Sequence, residues 1–407
     1  MTSSDSGSVY ARAAAWYEEH WDPSMAVGAW WALLARSGWG FPWWPQGRFG
    51  LGVTHTDALE ADRARDDVGA FGPPNGVGAT LVAPTLFDHG PDHLLDRYLE
   101  RIADGSELWC QLFSEPGAGS DLAGLQTTAV RDGDQWVING QKVWTTGGHT
   151  AQRAVVMART DASVAKHQGI SFFCMDLDQP GVDVRPLRDM TGDREFNEVF
   201  LDDARVAHDD AIGGVGNGWR AAMTMLAVER DLDAVGHDGG GDVVNAVDLA
   251  QPVGEVQAEQ QSGSQISGFS YTTGSLKDRV VAELLDTVQT DEGDRVLTDQ
   301  RVAAHIHRSV LDWNGAREVN PSLGKLSNSL LCRSLRDLGF RSGMAAQLTG
   351  SDAVDGGHFM KTALFTQGMS LAGGTDEIQR NLIGERALGL PKEPDPTKGL
   401  PFEDLPR

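Results

Sequence analysis

The segment SEPGAGSD at residues 114–121 is a glycine-rich turn, and the segment NGQKVWTT follows it at residues 139–146. The first segment combines hydroxyl groups with backbone N–H groups that suit a phosphate or the edge of a flavin. The second segment ends a strand-like run with the aromatic plane of Trp144 and two hydroxyl groups, Thr145 and Thr146. The two segments together therefore indicate a binding site for a group of this kind.

A third segment, LAGGTDEIQR at residues 371–380, lies near the C-terminus. One glycine-rich turn is typical of ordinary loops, so each segment alone is weak evidence for a function. In combination, and at this spacing, the three segments resemble the acyl-CoA dehydrogenase family of flavoenzymes. The resemblance extends over roughly residues 10–394.

Composition limits the class of protein. The chain has 407 residues, more than one hydrophobic core usually supports, so two or three packed subdomains are expected. Its apolar runs are too short to cross a membrane, and its polar first residues differ from a signal peptide. A net charge of −24 argues against nucleic acid and anionic membranes as partners. The three cysteines, Cys110, Cys174 and Cys332, indicate neither a disulfide framework nor a zinc site, so a cytoplasmic protein without a metal is expected.

Hydrophobic periodicity divides the chain into three parts. Residues 8–105 have helical periodicity with Gly/Pro breaks, and residues 108–207 contain short β-branched and aromatic runs. Within the second part, Asp132-Gly133 predicts a hairpin. Helical periodicity then returns and persists through most of the remaining chain. An interruption at residues 236–274, rich in Gly, Gln and Ser, predicts a flexible surface insertion.

The order of helices, barrel and helices is also that of the acyl-CoA dehydrogenase fold, so the fold class is α+β. The resemblance implies an N-terminal α-helical domain at residues 1–107 and a middle antiparallel β-barrel domain at residues 108–212. A C-terminal α-helical bundle is expected at residues 213–394, followed by a tail at residues 395–407.

The resemblance implies that FAD is the cofactor, since the reaction transfers hydride and amino-acid side chains cannot accept it. Ser114 falls where a hydroxyl contacts the isoalloxazine ring, Trp144 where an indole lies against that ring, and Thr146 where a hydroxyl bonds near N5. The other positions assigned to the cofactor are Gln111 and Phe113 beside the ring, Gly119 and Ser120 near the pyrophosphate and the CoA entrance, and Thr375 and Glu377 at the adenosine half. Glu377 replaces the glutamine that is usual in the family.

The position of the catalytic base departs from the commonest family pattern. Dehydrogenation of a thioester requires a base for the α-proton, donors to the enolate oxygen and a hydride acceptor on the opposite face. In many members the base is a glutamate directly before the Gly-Thr of the third segment, but this chain has Gly373 there. A smaller set of members carries the carboxylate on the first long helix of the C-terminal domain, where this chain has Glu229.

Helical spacing supports Glu229 independently of the family. The predicted helix has an apolar face, and Glu229 lies on or beside it. The members of that face are Trp219, Ala222, Met223 and Leu226. Partial desolvation there favours proton abstraction, whereas the alternative interpretation is a surface glutamate paired with an arginine. Gly373 is then expected to bind the thioester oxygen through its backbone N–H, and its missing side chain leaves room for a branched or bulky acyl group.

The sequence lacks one family motif. Many members carry Arg-x-x-Phe-Gly early in the second bundle helix, and that arginine reaches the flavin pyrophosphate of a neighbouring subunit. Arg301 is the substitute candidate in this chain. Similar departures occur in the actinobacterial steroid-catabolising branch of the family, where some enzymes pair two unlike subunits.

The sequence therefore predicts an FAD-dependent acyl-CoA dehydrogenase that forms a trans-2-enoyl-CoA. Glu229 removes the α-proton, flavin N5 accepts the β-hydride, and an electron-transfer flavoprotein reoxidises the reduced cofactor. The expected assembly is a homodimer, a homotetramer or a heterotetramer with a related subunit. Two alternatives stay open: a partner subunit that completes an FAD site with an unlike chain, and an oxygen-using oxidase or monooxygenase of the same fold.

Overall fold

Helices form the first part of the chain, as its periodicity predicts. The computed structural model describes residues 7–235, 247–262, 321–341 and 358–406. The N-terminal helices are α1 (Val9–His20), α2 (Val27–Ser37), α3 (His55–Val68), α4 (Ala83–His89) and α5 (Asp92–Ala103), and a π-helical turn (Gly78–Val82) precedes α4. Ser8 and Thr54 cap the N-termini of α1 and α3 with their hydroxyls, while Gly38 and Gly69 end α2 and α3 in the left-handed conformation.

Tryptophans fill the core beneath these helices. Trp30, Trp31 and Trp44 are almost completely buried. The indole N–H of Trp30 donates to the Phe71 carbonyl at 2.9 Å, and that of Trp31 donates to the Gly72 carbonyl at 2.9 Å. Each ring therefore buries its apolar surface while its N–H bonds the loop before the π-helical turn, which fixes that loop against α2.

Seven strands form a curled mixed sheet between the two helical parts. They are β1 (Trp109–Leu112), β2 (Thr128–Asp132), β3 (Gln135–Thr146), β4 (Arg153–Arg159), β5 (Ile170–Asp176), β6 (Val182–Pro186) and β7 (Phe196–Ala207). The hydrogen-bonded order is β1-β4-β2-β3-β7-β6, with β5 added on β4. The predicted fold class is confirmed. The expected pairing was antiparallel throughout, but β4 pairs in parallel with β1 and with the start of β2.

The predicted hairpin joins β2 and β3, with Asp132 opposite Gln135 and Gly133 in the left-handed conformation. Further along, β3 pairs with β7, and its register shifts between Lys142 and Thr145. A shift of this kind is a bulge, which bends a strand and redirects its side chains. It places Trp144 at φ +62°, a conformation that non-glycine residues seldom adopt.

Helices return after the sheet as α6 (Gly218–Val235), α7 (Val253–Ser262), α8 (Pro321–Arg341), α9 (His358–Met369) and α10 (Asp376–Leu382), the last followed by a π-helical turn (Ile383–Ala387). Helix α6 packs against β5, α4 and the first π-helical turn, and α8 packs against α6, α9 and α10. The predicted division at residues 107 and 212 stays a prediction, although helix gives way to strand between Ala103 and Trp109.

The described part of the expected flexible insertion is folded. Helix α7 buries Val253 and Val256 against the tryptophan core of the N-terminal helices. The segment before it bonds the entry to α2: Val27 N–H donates to the Gln251 carbonyl at 3.0 Å and Gly28 N–H to the Leu249 carbonyl at 2.9 Å. The structure therefore differs from the prediction over residues 247–262. The prediction depended on the polar composition of this segment, whereas its two valines are enough to pack the helix on the core.

A buried ion pair joins the glycine turn (residues 114–121) to strand β3. The Lys142 ammonium donates to Glu115 Oε1 at 2.9 Å and to the Phe113 carbonyl at 3.0 Å, and both charged side chains are almost fully buried. The Glu115 carboxylate also accepts the backbone N–H groups of Gln126 and Thr127. Burial alone would raise the pKa of Glu115, but Lys142 and these N–H groups outweigh it and lower the pKa.

Replacing Glu115 by Gln should destabilise the chain by about 3–5 kcal/mol, because the buried Lys142 ammonium would lose its counter-charge. Chemical denaturation at neutral pH measures the loss. The matched control is Asp132→Asn, which removes an exposed carboxylate 3.0 Å from Arg205 and should cost less than about 1 kcal/mol. Equal losses in the two variants would contradict a structural role for the buried pair.

Candidate active site

The bulge in β3 exposes the indole of Trp144. Its residue is 60% exposed, although the chain buries most of its large aromatic side chains. Phe196 of β7 holds the indole edge-on, with ring centroids 5.7 Å apart. The half-buried Thr146 lies two residues further on and lines a small cavity of about 30 Å³ with Gly78 and Thr150. Strand β3 therefore ends with an exposed indole at Trp144 and, two residues later, the hydroxyl-bearing Thr146.

The glycine turn lies directly beside that strand. The Ser114 carbonyl accepts the Val143 N–H at 2.9 Å, so Ser114 and Trp144 are near neighbours across the backbone. Gly119 and Ser120 are exposed, and a Cβ placed on Gly119 would meet no atom within 4 Å. The structure thus brings the first two sequence segments together and leaves the tip of the turn accessible.

Gln111 and Phe113 lie on the approach to the turn. Gln111 is half-buried on β1 and pairs with Val155 of β4. The Phe113 side chain is buried, edge-on to Phe172 at 5.4 Å, so only its backbone remains for a ligand. The Phe113 carbonyl accepts Lys142 Nζ at 3.0 Å, and the role of this residue in cofactor binding stays a prediction.

The third segment forms a tight turn before α10. Gly373 and Gly374 have φ values of +62° and +91°, and their carbonyls accept the side-chain amide of Gln379. Thr375 caps α10 by accepting the Ile378 N–H, so its hydroxyl has a helix-capping role. Glu377 is exposed and lies 3.5 Å from Arg380.

Asp376, which the sequence analysis does not single out, anchors this turn. It is 2% exposed and accepts three donors from α8. They are Lys325 Nζ at 3.0 Å, Ser329 Oγ at 3.0 Å and Arg333 Nη2 at 2.7 Å. Burial would raise the pKa of Asp376, but these donors and their charges lower it. The only sequence signal was an acidic residue in a helical first turn, which does not identify partners some 50 residues away.

Glu229 lies on the inner side of α6. The buried face of this helix runs through Ala221, Ala222 and Met225, so it is turned slightly from the predicted one, which contained Met223. Glu229 follows Met225 by four residues; it is half-buried, and its Oε2 atom is buried. Helix α6 as a whole packs against β5, α4 and α8.

Helix α8 and an aromatic contact connect these parts. Phe196, which supports Trp144, stacks on Phe365 of α9 with centroids 6.4 Å apart. Helix α8 contacts α6, which carries Glu229, and it also contacts α9 and α10. Lys325 of α8 lies beside Gly373. Arg301, the remaining predicted site residue, lies outside the described residues.

The arrangement fits a planar aromatic cofactor that carries phosphates. The exposed indole at a strained φ offers one flat apolar surface, and the half-buried Ser114 and Thr146 lie near Trp144 along the backbone. The accessible turn offers backbone N–H groups and Ser120 for a polar extension. Among the described residues no group of three metal-ligating side chains is close enough to hold an ion, and no described helix is long and apolar enough to span a bilayer.

Sequence similarity connects this chain to a known protein family. Residues 110–204 match the family model described as "Acyl-CoA dehydrogenase, middle domain". The chain is 38% identical over 369 residues to the acyl-CoA dehydrogenase IpdE1 of Mycobacterium tuberculosis, covering 90% of this chain and 88% of that protein.

Two solved structures have the same fold. One is the ChsE4–ChsE5 complex from Mycobacterium tuberculosis (TM-score 0.65, 24% identity, 97% of this chain and 100% of that one). The other is the Tcur3481–Tcur3483 steroid ACAD (TM-score 0.65, 23% identity, 95% and 97%). At these identities the likeness concerns the fold alone.

Asp376→Asn should destabilise the chain at neutral pH by about 3 kcal/mol, because Lys325 and Arg333 would face a neutral amide. The pKa of Asp376 is lower in the folded chain than its usual 3.8, so its stabilisation is complete above that value and is lost at lower pH. The difference between wild type and variant should therefore shrink as the pH falls below about 4. Denaturant unfolding across this range measures it, with the exposed Asp337→Asn on α8 as control. A difference independent of pH would rule out the charge-based account.

Proposed function

This chain belongs to the acyl-CoA dehydrogenase family, and we propose that it dehydrogenates an acyl-CoA thioester with Glu229 as the base. The chain is an oxidoreductase of that family, and its cofactor is FAD. One observation supports the proposal for the base: Glu229 on α6 is half-buried and its Oε2 atom is buried. The product is the trans-2-enoyl-CoA.

Glu229 is the base in this proposal because position 373 has no side chain. Partial burial removes water from the carboxylate and favours its uptake of the α-proton. The backbone N–H of Gly373 would donate to the thioester oxygen and stabilise the enolate that forms as the proton leaves. The turn that holds this N–H is fixed by the Gln379 amide and by the Asp376 cluster, so the donor is pre-oriented.

Space beside Gly373 supports a branched or bulky acyl group. A Cβ at Gly373 would come no closer than 4.0 Å to Lys325 Cγ, so the position is open where many family members carry a glutamate. The solved structure named as a steroid ACAD shares the fold and agrees with this size class. An acyl group with a ring or a branch would fill the volume that a glutamate side chain occupies elsewhere in the family.

Most residues that would hold FAD lie in or beside the first two segments. Ser114, Trp144 and Thr146 would contact the isoalloxazine ring, with Gln111 and the Phe113 backbone nearby. Gly119 and Ser120 would lie near the pyrophosphate, and Thr375 and Glu377 near the adenosine half. Arg301 is the candidate for the arginine that binds the pyrophosphate in many family members. When bound, FAD supplies the acceptor for the β-hydride. An electron-transfer flavoprotein would then take up the electrons, as the family resemblance implies.

A second candidate function is that of one subunit in an enzyme of two unlike chains. The ChsE4–ChsE5 structure is a complex of two named chains, and this chain lacks the Arg-x-x-Phe-Gly motif. In such an assembly the partner would complete the pyrophosphate site. Helix α6 and the glycine turn would still belong to this chain.

Glu229→Gln should retain FAD and bind acyl-CoA while losing flavin reduction by about 10²–10⁴-fold, since the amide cannot take up the α-proton. Anaerobic bleaching of the bound flavin, tested with straight, branched and steroid-derived CoA thioesters, measures the rate. The matched control is Glu255→Gln on the exposed face of α7, which should reduce its flavin at the wild-type rate. Near-normal bleaching in Glu229→Gln would remove Glu229 from the mechanism.

The chain purified alone should be yellow and reducible by acyl-CoA if it acts as a homo-oligomer. Visible absorbance and mass measurement in solution test this directly. A colourless chain that becomes yellow only with an unlike homologous partner would support the two-chain assembly instead. Reduced enzyme that is reoxidised rapidly by air with release of peroxide would favour an oxidase or monooxygenase.

A further inference from the structure

Arg159, at the end of β4, carries a buried guanidinium. It is 4% exposed, and within the part of the chain that the structure describes no carboxylate lies within salt-bridge distance of it. Burial lowers the pKa of Arg159 to about 10, and the more distant Glu115 and Asp121 only partly offset that effect. A buried guanidinium needs compensation for its lost water, so its contacts are informative.

Backbone carbonyls supply part of that compensation. Arg159 Nη2 donates to the Ala123 carbonyl at 2.7 Å and to the Leu125 carbonyl at 3.2 Å, and Nε donates to the same Leu125 carbonyl at 3.3 Å. Nη1 donates to the Lys166 carbonyl at 2.9 Å. Residues 123–125 immediately follow the glycine turn, so the guanidinium holds the C-terminal side of that turn to the sheet.

Phe402, near the C-terminus, provides a further contact that compensates the buried guanidinium. The Phe402 ring covers the guanidinium, with Cζ 3.3 Å from the ring centroid. The backbone around Phe402 is docked as well: its N–H donates to the Val164 carbonyl at 2.9 Å, and Glu403 N–H donates to the Ala162 carbonyl at 3.1 Å. A cation–π contact gains strength when the cation is desolvated, as Arg159 is.

Lys166, whose carbonyl accepts Arg159 Nη1, also binds the last residue of the glycine turn, Asp121. Lys166 Nζ donates to both carboxylate oxygens of Asp121, at 2.8 and 3.0 Å. On the other side, Arg159 N–H donates to the Thr127 carbonyl at 2.7 Å, and Thr127 N–H donates to Glu115. The glycine turn is therefore held at its start by Glu115 and at its end by Arg159, and the second support includes the C-terminal tail (residues 395–406).

We propose that the C-terminal tail is a strap that holds the glycine turn in its ligand-binding conformation, with Phe402 and Arg159 as positioning residues. Without the Phe402 ring, water reaches Arg159, and the guanidinium competes less well for the carbonyls of residues 123 and 125. The turn then opens more often. The consequence for FAD rests on the proposed function, whereas the mechanical link between tail and turn does not.

Phe402→Leu tests the strap, since it keeps an apolar side chain but removes the π-face. Hydrogen exchange of the amides of residues 114–127 should accelerate by about 3- to 30-fold, and release of FAD from the holoenzyme should accelerate within the same range. Phe402→Tyr retains the ring and should behave as wild type in both measurements.

Phe200→Leu is the matched control, because it removes a ring 4.5 Å from the Arg185 guanidinium, a cation–π contact between β7 and β6 in which the C-terminal tail takes no part. Unchanged exchange in residues 114–127 of Phe402→Leu would overturn the strap. Faster exchange with unchanged FAD release would overturn its role in holding the cofactor. If the wild-type chain retained no FAD either alone or with an unlike homologous partner, the proposed function would fail, while the exchange measurement would still decide whether the tail holds the turn.

Discussion

The buried pair of Glu115 and Lys142 is the contact on which the rest of the site depends. Each charge is expensive to bury, and the cost is offset only because the carboxylate also accepts two backbone N–H groups and the ammonium also donates to a carbonyl. These bonds fix the position of the glycine turn relative to β3. A turn that moved by an ångström would leave two buried charges incompletely satisfied, so the geometry is strongly specified.

Two further constraints extend this arrangement to the C-terminal helices. The bulge in β3 turns Trp144 outward, where Phe196 supports it and stacks in turn on Phe365 of α9. The Asp376 cluster ties the Gly373 turn to α8. Buried polar groups that must be satisfied together form rigid networks, so the first two segments are fixed against each other and the third is fixed to α8, which also contacts α6 and α9.

The proposed relocation of the base also has a physical reason. Gly373 adopts a left-handed conformation, in which a side chain is strained. A glycine there frees both the backbone conformation and the volume near Lys325. In the proposal, the carboxylate on α6 takes the role of the base that position 373 lacks, and the freed volume is left for the acyl group.

The sequence alone determined the order of helices, strands and helices, the hairpin at Gly133, the family and the cofactor, because these depend on periodicity, turn chemistry and local motifs. It did not reveal the parallel pairing of β4, the folded helix at residues 253–262, or the partners of Lys142, Asp376 and Arg159. A single Lys, Asp or Arg in a sequence does not show which distant groups compensate its burial. Only the tertiary structure decided those pairings, since desolvation makes a buried charge depend on whichever donors and acceptors the fold brings within about 3 Å of it.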